Sequence, residues 1–365
     1  MNFIKNLFSG QITVPDNVLD CIKAYRSNVL IDGILPFWDS LEITKTDKGI
    51  ALTFTLPFAC ESEANSINAA LHEVESVQTF IVRLTTKLTS EPLTLANKHK
   101  VNHIILVASG KGGVGKSTTA VNLAVGLAEQ GARVGLLDAD IYGPSIPLMT
   151  GCEDTKVTSA DGKTIDPVNI HNVFVMSIGL LVPKDDATVW RGPMASQALS
   201  QLINETNWPT LDYLIVDMPP GTGDIQLTMS QKIPCSGAIV VTTPQDVALA
   251  DAGKGIAMFN KVNIPVIGLV ENMAYYECEK CDHKNTIFGE LGAKRLAETY
   301  QTNVLMQLPL LAQIRQRSDE GIPFVLDKNN KIANKYEELA KLTASQLYYN
   351  SANTFTRPEI IITKD

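Results

Sequence analysis

The run Gly110-Lys111-Gly112-Gly113-Val114-Gly115-Lys116-Ser117-Thr118 constrains the fold of this chain more than any other stretch. It follows the apolar run Ile104-Ile105-Leu106-Val107-Ala108 and precedes a helical pattern from Ala120 to Gln130. The spacing of Gly110, Gly115, Lys116 and Ser117 fits G-x-x-x-x-G-K-[ST], the phosphate-binding loop between a strand and a helix. Glycines let backbone N–H groups turn toward phosphate oxygens, where side chains would block the approach. The helix that follows adds the positive end of its dipole. A nucleotide is therefore expected here, with Lys116 reaching its terminal phosphates and Ser117 ligating Mg²⁺.

A chain of 365 residues is too long for one small core and predicts about two domains. Its formal charge of −8 disfavours a general nucleic-acid binder. No apolar run approaches the ~20 residues that span a bilayer, and the first eight residues lack a signal-peptide pattern. The expectation is a cytoplasmic protein with no nucleic-acid or membrane partner. Of the six cysteines, Cys21, Cys60, Cys152 and Cys235 are scattered, which is no disulfide framework. Cys278 and Cys281 alone have metal-ligand spacing.

Residues 1–95 read as a small α+β unit. Helical spacing covers Asn17 to Asn28 and Glu61 to Val77, and strands are expected at 41–44, 51–56 and 79–84, the first two joined as a hairpin. Cys60 precedes the second helix and is expected to be a small half-buried residue. Ser90 to Lys100 is polar, contains Pro92 and reads as a linker. The larger domain, 101–350, has α/β character. Its second strand, 133–137, ends in Asp138-Ala139-Asp140, and carboxylates at such strand ends sit where α/β sheets bind ligands. Asp161-Gly162-Lys163 predicts a turn between short strands. Leu211 to Asp217 is an apolar strand ending in an acid, the pattern whose carboxylate holds Mg²⁺. A strand over Val266–Val270 is expected to end at Glu271-Asn272-Met273. Cys278-Glu279-Lys280-Cys281 follows. Two thiolates do not complete a site, but two copies about a symmetry axis supply four. Spacing alone suits a bridged [4Fe–4S] cluster and a bridged zinc equally, with His283 as a third zinc ligand.

With Lys111 added, the loop resembles the deviant Walker A branch of P-loop ATPases, which includes the nitrogenase iron protein, MinD, ParA and the Mrp/ApbC iron–sulfur carriers. That resemblance implies a P-loop NTPase domain, a mainly parallel sheet flanked by helices. It makes Lys111 a residue that crosses a homodimer interface to the partner's nucleotide. It makes Asp140 the group that positions the attacking water, and Asp138 a support for Mg²⁺. Residues 141–145 resemble its switch I and 218–224 its switch II, with the Gly221 N–H donated to the γ-phosphate and Asp217 on the metal. Asn272 takes the place of the asparagine that reads adenine. Trp190-Arg191-Gly192-Pro193-Met194 matches a segment of Mrp-type relatives. The stretch from Tyr275 to Gly289 resembles the cluster-binding segment of Mrp/ApbC carriers, and residues 1–95 resemble the MIP18-like (DUF59) domain that often precedes them. The resemblance implies an ATPase with ATP, Mg²⁺ and a [4Fe–4S] cluster that delivers the cluster to apo iron–sulfur proteins. A MinD/ParA-like positioning switch is the rival; Cys278, Cys281 and a tail, 351–365, that is no basic amphipathic helix stand against it. A zinc-bridged dimer is the third reading.

Overall fold

The structure is a computed structural model that describes residues 14–47, 49–74, 80–88, 93–94, 100–182, 192–221, 223, 226, 233–278, 280–281 and 283–354. It divides into two compact units, 1–89 and 90–365.

The first unit holds strands β1 (Glu42–Thr46), β2 (Gly49–Leu56) and β3 (Phe80–Thr86). Leu52, Phe54 and Leu56 are buried and alternate with half-buried Thr53 and Thr55, the period-2 signature of a strand with one face on a core. β1 and β2 form an antiparallel hairpin, while β2 and β3 run parallel and so need a crossover. Helix Glu63–His72 supplies it and turns Ala64, Ile67 and Leu71 inward. Asn68 on this helix satisfies both backbone groups of Val82, donating from Nδ2 at 2.9 Å and accepting at Oδ1 at 2.8 Å. That contact covers an edge strand whose ladder would otherwise face solvent. Cys60 is fully buried rather than half-buried.

The second unit is built on a sheet of strands β4 (Leu93–Thr94), β5 (Lys100–Ser109), β6 (Val134–Asp138), β7 (Val168–Ile170), β8 (Val173–Ser177), β9 (Leu211–Asp217), β10 (Gly237–Thr242), β11 (Val266–Glu277), β12 (Lys284–Asn285) and β13 (Val304–Pro309). The spatial order is β12-β11-β10-β5-β9-β6-β8-β7, with β13 on β11 and β4 on β5. The central pairs are parallel; β4, β7 and β12 add antiparallel edges. Every residue of β6, β9 and β10 is buried, because helices cover both faces of a parallel sheet. β9 lies between β5 and β6, which places Asp217 beside Val107 on one side and Asp138 on the other.

Several elements differ from the sequence reading. β11 does not end at Val270 but runs on to Glu277, because β13 and β12 keep supplying backbone partners. Its polar residues are buried and paired rather than terminal: the Glu271 carboxylate accepts from Ala293 N at 2.9 Å and Gln307 Nε2 at 2.6 Å. Asp161 does cap a turn, accepting from Lys163 N at 2.8 Å and Thr164 N at 2.7 Å. The hairpin, however, is β7–β8, turned by His171 and Asn172 at φ 51° and 59°. Such left-handed pairs match strand twist. The stretch read as a linker contains β4, paired to β5. Gly192-Pro193-Met194 opens helix Gly192–Glu205, and the closing helix reaches Thr354. Trp190, Arg191, Thr222, Asp224 and 355–365 lie outside the described residues.

Among the described residues, no helix is long and apolar enough to cross a membrane. His103, on β5, stacks on Tyr213 at 5.6 Å, and burial holds its imidazole down to about 4, against a weaker opposing pull from Asp212. The folded state thus keeps this histidine neutral while the unfolded chain protonates it near its ordinary value. Stability should be full above about pH 6.5 and fall by about 2 kcal/mol between pH 7 and pH 5 through this group. Urea midpoints of the wild type and His103→Gln at the two pH values measure it; parallel pH dependence in the two proteins would refute the assignment.

Candidate nucleotide-binding and metal-ligating site

The loop after β5 and the start of helix Lys116–Glu129 place Lys116 under the loop, with its side chain only 6% exposed. Its ammonium pairs with Asp217 Oδ1 at 2.6 Å and lies 4.0 Å from Asp140 Oδ2. Ser117 Oγ donates to Asp217 Oδ2 at 2.6 Å. Asp138 is fully buried, and its carboxylate accepts from Asp140 N, Ser145 N, Ile146 N and Ser177 Oγ at 3.0–3.2 Å. Asp138 thereby shapes the turn that carries Asp140.

Three carboxylates, Asp138, Asp140 and Asp217, thus meet one ammonium. Burial pushes all three carboxyls upward; Asp217 raises the other two further, and Lys116 opposes the shift in each. A buried excess of negative charge is what a hard divalent cation neutralises, and the oxygens of Ser117 and Asp217 are the donor type that Mg²⁺ takes. The loop fits an anion on its open side: a Cβ added at Gly112 or Gly113 meets nothing within 4 Å. The opposite side is closed. A Cβ at Gly110 would lie 2.3 Å from the Asp251 carbonyl carbon, and one at Gly115 would lie 2.0 Å from Asn272 Nδ2. Val114 is buried, Thr118 is half-buried in the first helical turn, and Lys111 is half-buried with its C=O accepting from Ser109 Oγ at 2.9 Å. Gly221 N donates to Ser109 O at 3.0 Å with φ 99°, which tethers the loop after β9 to the end of β5. Asn272 Nδ2 donates to Val114 O at 2.9 Å, across 158 residues of chain.

Cys278 and Cys281 lie at the turn between β11 and β12. Cys278 N donates to His283 O at 3.0 Å and Cys281 N to Cys278 O at 3.3 Å, closing a tight turn. Cys278 is half-buried and Cys281 exposed. Among the described residues, no three His, Cys, Asp or Glu side chains gather as a metal site. His283 is not gathered with the two thiols among the described residues; its backbone carbonyl accepts from Cys278 N. Sequence reasoning missed Ser177 and the Asn272–Val114 contact. A serine ending a strand beside an acid-ended strand is a usable signal for the first. No local pattern announces the second.

Residues 100–344 match the family model described as ParA, the NUBPL iron-transfer P-loop NTPase. The chain is 48% identical over 354 residues to the iron-sulfur cluster carrier protein of Haemophilus influenzae, covering 94% of this chain and 96% of the relative. It is 58% identical over 250 residues to the protein of that name from Salmonella typhimurium, covering 68% of each. Among solved structures it resembles the nucleotide-binding protein of Archaeoglobus fulgidus in complex with ADP, at 37% identity and a TM-score of 0.56, over 64% of this chain and 90% of that one.

Proposed function

The chain belongs to the iron-transfer P-loop NTPases, the Mrp/ApbC family of iron–sulfur cluster carriers, and on that premise we propose that it is a slow ATPase that carries a [4Fe–4S] cluster between two copies of itself and delivers it to apoproteins. The observation that carries this reading is the pair of thiols at one hairpin turn, Cys278 half-buried and Cys281 exposed, which supplies two of the four ligands a cluster takes. Such a site is completed by a second copy, and a cluster held by two short turns is placed to leave again.

In this reading the backbone of Gly110–Thr118 cradles the phosphates, Lys116 leaves Asp217 for the β- and γ-phosphates, and Ser117 and Asp217 hold Mg²⁺ with support from Asp138. Mg²⁺, when bound, neutralises charge developing on the transferred phosphoryl group. Asp140 orients the attacking water, Gly221 exchanges Ser109 O for the γ-phosphate, and Asn272, whose Nδ2 holds Val114 O, has its amide oxygen for the adenine. Lys111 reaches the partner's nucleotide, so turnover waits on dimer formation and is slow. Residues 1–95 make up the MIP18-like domain, and the protein works in the cytoplasm.

Anaerobic reconstitution with iron and sulfide tests the reading. The expected result is about four irons and four sulfides per dimer. About one zinc per dimer that iron does not displace would assign a structural metal instead. ATP-dependent surface association without iron uptake would assign a positioning switch. Asp140→Ala is expected to bind ATP normally and hydrolyse it about 100-fold or more slowly. Lost binding with normal turnover per bound ATP would move Asp140 from the water to the metal.

A further inference from the structure

The phosphate loop and the cysteine turn are joined by one strand. Asn272 lies on β11, and Cys278, six residues on, is the first residue after the strand ends at Glu277; at Asn272 the strand touches the loop. Its amide donates to the carbonyl of Val114. That carbonyl and the Gly115 N–H are two ends of one planar peptide and point in opposite directions. Asn272 therefore grips the back of a peptide whose front N–H faces the phosphate side. A hydrogen bond on the carbonyl also polarises the N–H into a better donor. Gly115, at φ 87°, is the residue that permits the contact, since any Cβ there would collide with the amide.

Between the loop contact and the cysteines, β11 is not regular. Glu271 pairs with Gln307 and Tyr275 with Pro309, so Asn272, Met273 and Ala274 stand opposite the single residue Leu308. Met273 has φ 55°, a left-handed conformation that a side chain of this type rarely adopts. The bulge is bounded by anchored points. Upstream, the Glu271 carboxylate is held by Ala293 N and Gln307 Nε2. Downstream, Tyr275 O accepts from Leu310 N at 2.7 Å, and Tyr276 and Glu277 pair with β12. Two surplus residues under backbone strain can be redistributed along a strand, whereas a regular ladder slips only by whole registers.

We propose that Asn272 is a positioning residue in both directions: it presets the Val114–Gly115 peptide for phosphate, and through the Met273 bulge it carries the state of that peptide to the Cys278–Cys281 turn. Rotation of the peptide toward the γ-phosphate pulls Asn272, the bulge shifts, and the hairpin turn changes its opening. This rests on the nucleotide and cluster reading above and supplies the regulation of that same site.

The test uses the full chain, free of iron, zinc and cluster, saturated with Mg²⁺ and either a non-hydrolysable ATP analogue or ADP. Amide hydrogen exchange is read at the phosphate loop and at Cys278 and Cys281. The wild type is expected to show a several-fold difference between the two nucleotides at both places. Met273→Gly keeps the amide grip but makes the bulge compliant; it should retain the difference at the loop and lose it at the turn. Asn272→Ala should lose the turn response even when loop protection reports full occupancy. An unresponsive turn in nucleotide-saturated wild type would overturn the proposal. So would an undiminished turn response in both variants, which is the result expected if dimer contact alone protects the cysteines. Failure of the underlying reading looks different: no nucleotide protection at Gly110–Thr118, or no iron uptake on reconstitution.

Discussion

Lys116→Ala is expected to reduce ATP turnover by at least about 100-fold, the scale of loss when a preorganised charge is removed from a developing anion. The geometry makes this the most damaging single change at the loop. Lys116 is the ammonium that faces Asp217, Asp140 and, more distantly, Asp138. Its loss also leaves Asp217 buried without its ion-pair partner, and breaking a buried pair on one side costs about 3–5 kcal/mol. Asp217 then takes up a proton more readily, so Mg²⁺ binding should weaken together with nucleotide binding. The thermal midpoint must therefore be measured beside turnover, and the two effects separated with Lys116→Met, which restores most of the buried side-chain volume. A folded variant with undiminished turnover would remove the phosphate-loop assignment.

The second large effect is on the cargo. In the Cys278→Ser/Cys281→Ser double variant, reconstituted iron and sulfide should fall to background while nucleotide binding persists. The phosphate loop belongs to the end of β5, and nothing in it depends on a sulfur. Single replacement of Cys21, Cys60, Cys152 or Cys235 should leave the iron content unchanged. Cys60 and Cys152 are buried, and burial pushes the Cys152 thiol up and the Cys235 thiol up to about 12. A thiol kept protonated in an apolar setting is neither nucleophile nor ligand. A full cluster in the double variant, or loss of iron on changing one of the other four, would move the cargo site elsewhere.

The sequence by itself determined the local units. The glycine spacing from Gly110 to Gly115, the apolar runs of β5 and β9, and the C-x-x-C turn are short-range patterns, each readable because its physics lies within a few residues. The strand Leu211–Asp217 agrees with its reading to the residue, because a buried parallel strand is mostly apolar and this one stops at an acid; its one interior acid, Asp212, is paired with Arg133. The tertiary structure decided what meets. Insertion of β9 between β5 and β6 brings Asp217 to Lys116 from 101 residues away and sets it beside Asp138. The Ser177 contact to Asp138, 39 residues away, follows from β8 lying next to β6 in register. The length of β11 depended on the same cause. Glu271 and Asn272 look like the end of a strand when read alone, because polar residues cannot be buried without partners. Their partners come from Ala293, Gln307 and Val114, distant segments supplied only by the folded chain. Periodicity reports which face of an element is buried, but strand order and register are set by pairing between elements far apart in sequence, and so the joining of the nucleotide loop to the cysteine turn is a property of the fold.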